Sequence, residues 1–553
     1  MSSVSAHVAV TLARHIDHVF GVMGNGNANF LDALLRETST GFTALRHEAG
    51  GVVAADAFFR ASGRLAAATA TYGAGFTNTL TALAEAVQAR VPLVLVVGDE
   101  PTSGARPWDV DQISLASAVG ARTYTVGRMD AAATTMIAIE HALTYSAPTV
   151  LAIPYDMAGR EAGPIGQTAE PHGTRPLPLP DDFVQGAIDR MEEALAGARR
   201  PLLLAGRGAW LADAGRALSQ IADLVGAVTA SSALARGIFE RSEYDLGVAG
   251  GFGAEKAMAL IQDADVVGVF GASLNQFTMR FGQLFGAAAQ VFQVDLANAA
   301  THSHVAGYVR GDAALVAHAI VDRLQRRGEA GSGWRDAVDV PSLVVREVGQ
   351  EFAQDGRLDP RSVAHRIGEL LPADRVVVSD GGHFVGWANM FWPVAAPDRM
   401  MMIGTAFQSI GMGWPSVPGA ARARPNATIV LTTGDGGGLM ALADLESAVR
   451  VAAGRGMAVV WNDAAYGAEV HVYGRRGFSI EPMLIPEVDF GTFASGAGAE
   501  GVVVRCLADL ERLASWTAEP AETRKFLVLD CRISREIIAP YQEEIFAASD
   551  RQP

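Results

Sequence analysis

The chain predicts an α/β protein built from three tandem doubly wound parallel sheets. Three observations carry that expectation. Short apolar runs alternate with helical-period segments along most of the chain. Two breaks, 159–183 (rich in Pro and Gly) and 326–356 (polar and irregular), divide it into units spanning 1–165, 184–330 and 356–545. Finally, Leu431 to Gly467 reads as one complete strand–helix–strand unit with oxygen-bearing residues at both strand ends.

In the first unit, His18 to Val22, Gly41 to Arg46, Leu65 to Thr71, Leu93 to Val97 and Thr149 to Ile153 have the length and apolar character of strands. Ala49 to Ser62 and Thr77 to Ala89 are small-residue segments that read as helices between them. Residues 159–183 read as an extended linker. The second unit shows strands near Pro201 to Ala205, Val266 to Phe270 and Val291 to Val294. In the third, Val376 to Val378 and Ala427 to Thr432 read as buried strands, Met440 to Ala453 as an amphipathic helix and Met457 to Trp461 as the next strand.

A length of 553 residues, 49% hydrophobic and 19% charged, allows several large cores. The net charge of −16 argues against nucleic acid as a partner. No apolar run reaches membrane length, and the N-terminus lacks a charged-then-apolar signal pattern. Cys506 and Cys531 are the only cysteines, so neither a disulfide framework nor a zinc site is expected, and a reducing cytoplasm fits. The two lysines, Lys256 and Lys525, do not follow glycine, which excludes a phosphate-binding Gly-Lys-[Ser/Thr] loop.

The chemistry concentrates where the strands of the third unit end. Asp435 follows the first strand, and Asn462 and Asp463 follow the second. Gly434, Gly436, Gly437 and Gly438 surround Asp435, and glycines at a helix start leave backbone N–H groups open to an anion. Hard oxygen ligands beside a phosphate seat suit Mg²⁺, which often shares its shell with a ligand's phosphates.

Gly434-Asp435-Gly436, with Asn462 27 positions after Asp435 (462 − 435), resembles the signature of the thiamine diphosphate (ThDP) enzymes. The resemblance covers the whole chain and implies pyrimidine-binding, central and diphosphate-binding domains in that order. Metal ligands would be Asp435, then Asn462 by spacing from Asp435 or Asp463 by counting back from Tyr466-Gly467. The third would be a backbone carbonyl, of Ala465 for Asp463 and of Ala464 for Asn462; Asp463 with Ala465 is favoured.

Further segments extend the likeness. Phe20-Gly21-Val22-Met23-Gly24-Asn25 resembles the family's Phe-Gly-x-Pro-Gly loop, with Met23 where proline is usual; Asn25 then takes an active-site position, or with Gly26 serves a turn of positive φ. Arg46-His47-Glu48 resembles the stretch whose glutamate meets the aminopyrimidine ring, where a shared proton favours the imino tautomer. Gly73 to Asn78 resembles a turn in which Gly75 and Asn78 line the cofactor. Gln112 of Trp108 to Gln112 falls at a pocket position, with Asp111 next. His383 sits in an expected diphosphate loop, Asp380 to Phe384. In Gly404 to Ala420, Ile410 would wedge between the cofactor's rings and the Gln408 carbonyl would accept from its amino group. Tyr466 and Gly467 begin a helix over the cofactor, and Glu469 takes a proton-shuttling position, with His471 and Tyr473 as further pocket candidates. The central stretch Gly271 to Phe277 lacks the second arginine of the flavin-containing acetolactate synthases, and Arg280 is out of register, so FAD is possible but not favoured.

The resemblance implies decarboxylation of a 2-oxoacid and ligation of the remaining acyl unit to a second carbonyl, as in acetolactate synthases. The alternatives are simple decarboxylation to an aldehyde and, in another class, a non-catalytic ThDP-binding regulatory subunit. A nicotinamide-dependent dehydrogenase is suggested by the α/β alternation alone. The resemblance also implies a homodimer or homotetramer in which Glu48 and Asp435 of one site come from different chains.

Overall fold

The computed structural model describes residues 2–166 and 182–549, so most of the expected linker lies outside the described residues. Its strands form three six-stranded sheets. The first contains β1 (His18–Gly21), β2 (Gly41–Ala44), β3 (Ala67–Ala70), β4 (Leu93–Asp99), β5 (Arg122–Thr125) and β6 (Pro148–Pro154), in the order β2-β1-β3-β4-β6-β5. The second contains β7 (Pro201–Ala205), β8 (Val228–Ser231), β9 (Asp245–Val248), β10 (Val266–Phe270), β11 (Gln290–Asp295) and β12 (Val305–Arg310), ordered β12-β11-β10-β7-β8-β9. The third contains β13 (Val376–Ser379), β14 (Met400–Met402), β15 (Ile429–Gly434), β16 (Gly456–Asn462), β17 (Glu500–Val504) and β18 (Leu527–Arg532), ordered β14-β13-β15-β16-β18-β17.

Every strand pair is parallel. Central strands such as β4, β6 and β16 are buried along their whole length, as a parallel sheet covered on both faces requires. The first and third sheets share one strand order, and the middle sheet has another. In an open α/β sheet, ligands collect at the carboxyl ends where the order reverses. Those points lie between β1 and β3 and between β13 and β15.

Several elements differ from expectation. The edge strands β5, β9, β12 and β17 were not predicted; each is partly exposed and carries polar residues or glycine, so no apolar run announces it. The fully buried β8 is only four residues long, with two hydroxyl side chains. The helix expected at Met440 to Ala453 is corrected. The chain turns helical at Asp435–Met440, makes one tight turn at Leu442–Asp444 and resumes at Leu445–Ala452. These helical positions must be glycine because nothing larger fits: a Cβ on Gly436 would lie 2.7 Å from the Tyr466 ring, and one on Gly437 2.6 Å from Asp380.

The first and third units share one core. The helix Glu48–Ser62 crosses the helix Gly413–Ala423, and one buried cluster includes Val52, Phe58, Leu83, Trp414, Val417 and Leu445. At the crossing a Cβ on Gly419 would sit 2.0 Å from the Ala54 carbonyl oxygen, so only glycine allows this approach.

Candidate cofactor and metal site

The third sheet places two carboxylates at neighbouring strand ends. Asp435 opens its helix and is buried; its Oδ1 accepts the Gly436 N–H at 2.9 Å, while its Oδ2 has no partner. Asp463, one residue past β16, is also buried, and neither carboxylate oxygen accepts a hydrogen bond. His383 Nε2 stands 3.1 Å from Asp463 Oδ2, an ion-pair distance without hydrogen-bond geometry. Burial pushes the Asp435 carboxyl up to about 7, and the nearby Asp463 charge adds to the effect. Burial opposes protonation of His383, but the Asp463, Asp435 and Glu469 carboxylates outweigh it and raise its pKa.

His383 faces Asp463, but Asp435 Oδ2 is left without a partner, and a buried carboxylate so placed is costly unless a cation joins it. A backbone carbonyl lies close by in sequence. The Ala464 carbonyl (φ +58°) accepts Ile485 N–H at 3.0 Å and Tyr466 N–H donates to Met483 at 2.8 Å, so the intervening Ala465 carbonyl faces away from that contact. Among the described residues no three His, Cys, Asp or Glu side chains form a metal cage. Two carboxylates and one carbonyl leave positions for water and phosphate oxygens, the coordination Mg²⁺ prefers. Asn462 ends β16, donates its amide to Asp530 at 2.9 Å and to the Val488 carbonyl at 3.0 Å, and accepts Ile533 N–H on its main-chain carbonyl, while its buried side-chain oxygen has no partner.

Glycines keep the approach clear. A Cβ on Gly467 would meet His383 at 2.5 Å and Asp463 at 2.6 Å. Beside them, Asp380 is fully buried and accepts N–H from Gly381 (2.9 Å), Gly411 (3.2 Å) and Met412 (3.0 Å) and the Thr433 hydroxyl (3.0 Å). Burial outweighs these bonds and pushes its carboxyl up to about 6. Asp380 thereby anchors the loop that carries Gln408, exposed and left-handed at φ +56°, and half-buried Ile410. Gly434 caps the Asp435 helix, while Tyr466 caps the helix Gly467–Tyr473, on which Glu469 is exposed. His471 is turned inward, 2.7 Å from the Arg535 carbonyl, and Tyr473 packs on Phe478.

The first sheet builds a second cluster. Glu48 opens the helix Glu48–Ser62, capped by the His47 ring, and is half-buried. Asn78 donates its amide to Glu48 Oε2 at 2.9 Å, and a Cβ on Gly75 would lie 3.5 Å from Oε1. Asn25 is exposed and donates to the Tyr72 hydroxyl at 3.0 Å. The reading of a positive-φ turn at Asn25 and Gly26 is corrected, since neither has positive φ; Gly26 is required because a Cβ there would meet the Tyr72 ring at 2.6 Å. Gln112 is buried, accepting Gly73 N–H at 2.9 Å and donating to the Gly98 carbonyl at 2.9 Å and to Asp99 at 3.1 Å. Its amide is spent inside the unit, bracing the Gly73 turn. Asp111 caps the following helix.

Among the described residues no hydrogen bond or ion pair joins Glu48 to the Asp435–Asp463 pair within one chain. Sequence reasoning did not single out Asp380, Tyr72 or Arg106, whose guanidinium lies 4.1 Å from the Tyr72 ring centre. Only for Asp380 was there a signal, an acid between a buried strand and paired glycines. In the central unit, Gly206 and Gly208 donate their N–H groups to the carbonyls of Phe270 (2.8 Å) and Gly271 (2.9 Å). Arg280 pairs with Glu255 and Glu544.

Comparison with known proteins agrees with this layout. The N-terminal thiamine pyrophosphate-binding domain of thiamine pyrophosphate enzymes matches residues 2–119, the central domain 188–320 and the C-terminal binding domain 380–531. The chain is 27% identical over 593 aligned positions to a sulfoacetaldehyde acetyltransferase of Castellaniella defragrans, covering 98% of this chain and 95% of that one. It is 26% identical to an acetolactate synthase of Mycobacterium avium, covering 76% and 69%. The thiamine diphosphate-dependent 4-hydroxybenzoylformate decarboxylase of Rhodococcus jostii RHA1 has the same fold, with a TM-score of 0.78 at 18% identity over 96% of this chain and 99% of that one. The three domain matches together span most of the chain and follow the order of its three sheets: the chain belongs to the thiamine diphosphate-dependent enzymes.

Proposed function

We propose that the protein uses ThDP and Mg²⁺ to decarboxylate a 2-oxoacid and to ligate the remaining acyl unit to a second carbonyl. The observation that carries the reading is the buried Asp435–Asp463 pair, whose unpartnered oxygens suit a metal that grips a diphosphate. ThDP, when bound, supplies the electron sink for breaking a carbon–carbon bond beside a carbonyl. Asp435, Asp463 and the Ala465 carbonyl would hold the metal, and the Gly436 and Gly437 turn would admit the phosphates. Glu48, oriented by Asn78, would hold a proton at its carboxyl for the pyrimidine ring. Gln408 and Ile410 would set the cofactor's bend, a positioning effect.

Ligation is favoured because the relatives matching over most of the chain include acetyltransferases and acetolactate synthases. A second reading, decarboxylation to an aldehyde, draws on the decarboxylase of like fold and on Glu469, exposed at a helix start where it can deliver a proton. The site would be completed by a second chain. Exposed apolar residues accompany both clusters, Met23, Trp108 and Ile113 in the first unit and Phe407, Met440 and Phe478 in the third. The same proposal takes the assembly as a homodimer or homotetramer in the cytoplasm; among the described residues no helix is long and apolar enough to cross a membrane. Incubation with pyruvate, with and without an acceptor aldehyde, followed by product analysis, tests the reading. An acyloin or acetohydroxy acid supports ligation, acetaldehyde alone the second reading, and no carbon dioxide from any of several 2-oxoacids refutes both.

A further inference from the structure

Glu85 plays no part in the proposed chemistry, yet it is 1% exposed and its charge is buried at the seam between the first and third units. Its Oε2 accepts the backbone N–H of Phe407 at 2.7 Å, 322 residues away. Its Oε1 accepts from Arg60 at 3.2 Å, and Arg60 also donates to Asp56 at 3.0 Å and to the Met402 carbonyl at 2.8 Å. One buried cluster of the first unit therefore holds both ends of Met402 to Phe407. Beyond the next three residues, Asp380 holds the Gly411 and Met412 N–H groups. Gln408, Ser409 and Ile410 thus hang between two buried carboxylates, one from each unit.

That span contains a backbone conformation rare for a residue with a side chain. Gln408 has φ +56°, its side chain is exposed, and its neighbour Ser409 is tied back to the Gly404 carbonyl at 2.8 Å. A left-handed non-glycine residue persists where its surroundings over-determine it. With Phe407 N–H fixed on one side and Gly411 N–H on the other, the direction of the Gln408 carbonyl is set. The charges match the task. Asp56 and Glu85 against Arg60 leave one buried negative charge in surplus, and the Arg207 guanidinium of the central unit, anchored on the Ala89 carbonyl, lies near enough for their fields to act on it.

We infer that Glu85 is a positioning residue: with Asp380 it clamps the 403–411 loop so that the Gln408 carbonyl and the Ile410 side chain face the cofactor. The inference rests on the ThDP reading above. Three forms decide it: wild type, Glu85→Met, which keeps the bulk without an acceptor, and Glu85→Gln, which keeps one oxygen for Phe407. Hydrogen exchange of the peptide spanning 403–411, measured in cofactor-free protein, should speed up in Glu85→Met and stay near wild type in Glu85→Gln. Titration with ThDP and Mg²⁺, followed by tryptophan fluorescence, should then weaken in Glu85→Met. Its kcat on pyruvate should fall up to about 10²-fold with KM little changed, as for a misplaced reacting group, and Glu85→Gln should recover most of the loss. Unchanged exchange in Glu85→Met overturns the clamp. Faster exchange with unchanged ThDP affinity and kcat overturns the positioning role. If wild type itself neither binds ThDP nor releases carbon dioxide, the functional reading fails, while the exchange data still judge the clamp.

Discussion

The side-chain amide of Asn78 donates to the Glu48 carboxylate at 2.9 Å, so the two residues act as one unit, the amide setting the direction in which the acid points. Glu48→Gln keeps the shape but removes the transferable proton, and turnover should fall by about 10²–10⁴-fold. Because Glu48 is half-buried at a helix start, the melting temperature should barely move. Asn78→Ala should lose up to about 10²-fold by freeing the carboxyl. Carbon dioxide release and thermal melts check both; a Glu48→Gln enzyme at half the wild-type rate would refute the assignment.

Asp463 and Asn462 should separate cleanly on substitution. Asp463→Asn removes a carboxylate from beside Asp435 together with the partner of His383, so Mg²⁺-dependent ThDP binding should weaken at least about tenfold. Asn462→Ala strips Asp530 of a donor and should cost about 1–3 kcal/mol of stability with metal dependence retained. Chelation by EDTA should abolish ThDP binding in wild type. Fluorescence titrations and melts decide, and the reverse pattern would move the ligand to Asn462.

Mixing inactive variants tests whether sites cross between chains. Hybrid dimers of Glu48→Gln and Asp435→Ala carry one intact site if Glu48 of one chain serves Asp435 of the other, giving about a quarter of wild-type activity after random reassortment. Sites assembled within one chain would give none.

Asp380 predicts a pH effect on the metal-free protein. Its carboxyl is raised from 3.8 to about 6, so the folded chain keeps a proton that the unfolded chain releases. That contribution is complete below the unfolded value and declines as pH rises through the folded one. Urea unfolding of wild type should therefore lose stability between pH 4 and pH 6 more steeply than Asp380→Asn. Equal slopes would show that Asp380 does not titrate in that range.

Gly419→Ala forces a methyl group to within 2.0 Å of the Ala54 carbonyl oxygen. The helices Glu48–Ser62 and Gly413–Ala423 must separate, at a cost of about 1–3 kcal/mol or more. Turnover should fall as well, because Glu48 opens one of them. Denaturant midpoints and kcat measured together check this, and a variant as stable as wild type would contradict the crossing geometry.

Buried strands such as β4, β15 and β16 were legible because a parallel strand covered on both faces is mostly apolar, whereas the equally buried β8 and β18, broken by polar residues, were not read. Edge strands such as β5 lack that constraint and left no pattern. The sequence alone also supplied the family likeness and its acids, Glu48 and Asp435, because a glycine turn at a strand end is a local feature. It did not resolve Asn462 from Asp463, since the two are adjacent and both carry oxygen. The strand's end sets them apart: Asn462, the last paired residue, donates its amide to Asp530 and keeps its side-chain oxygen unpartnered, whereas Asp463 lies free of the ladder beside Asp435, the placement on which the proposed ligand set rests. Nor did local pattern reveal that Gln112 braces a turn, or that Glu85 and Asp380 hold the ends of one loop. Those partners lie up to 322 residues apart, and only packing between units brings them together.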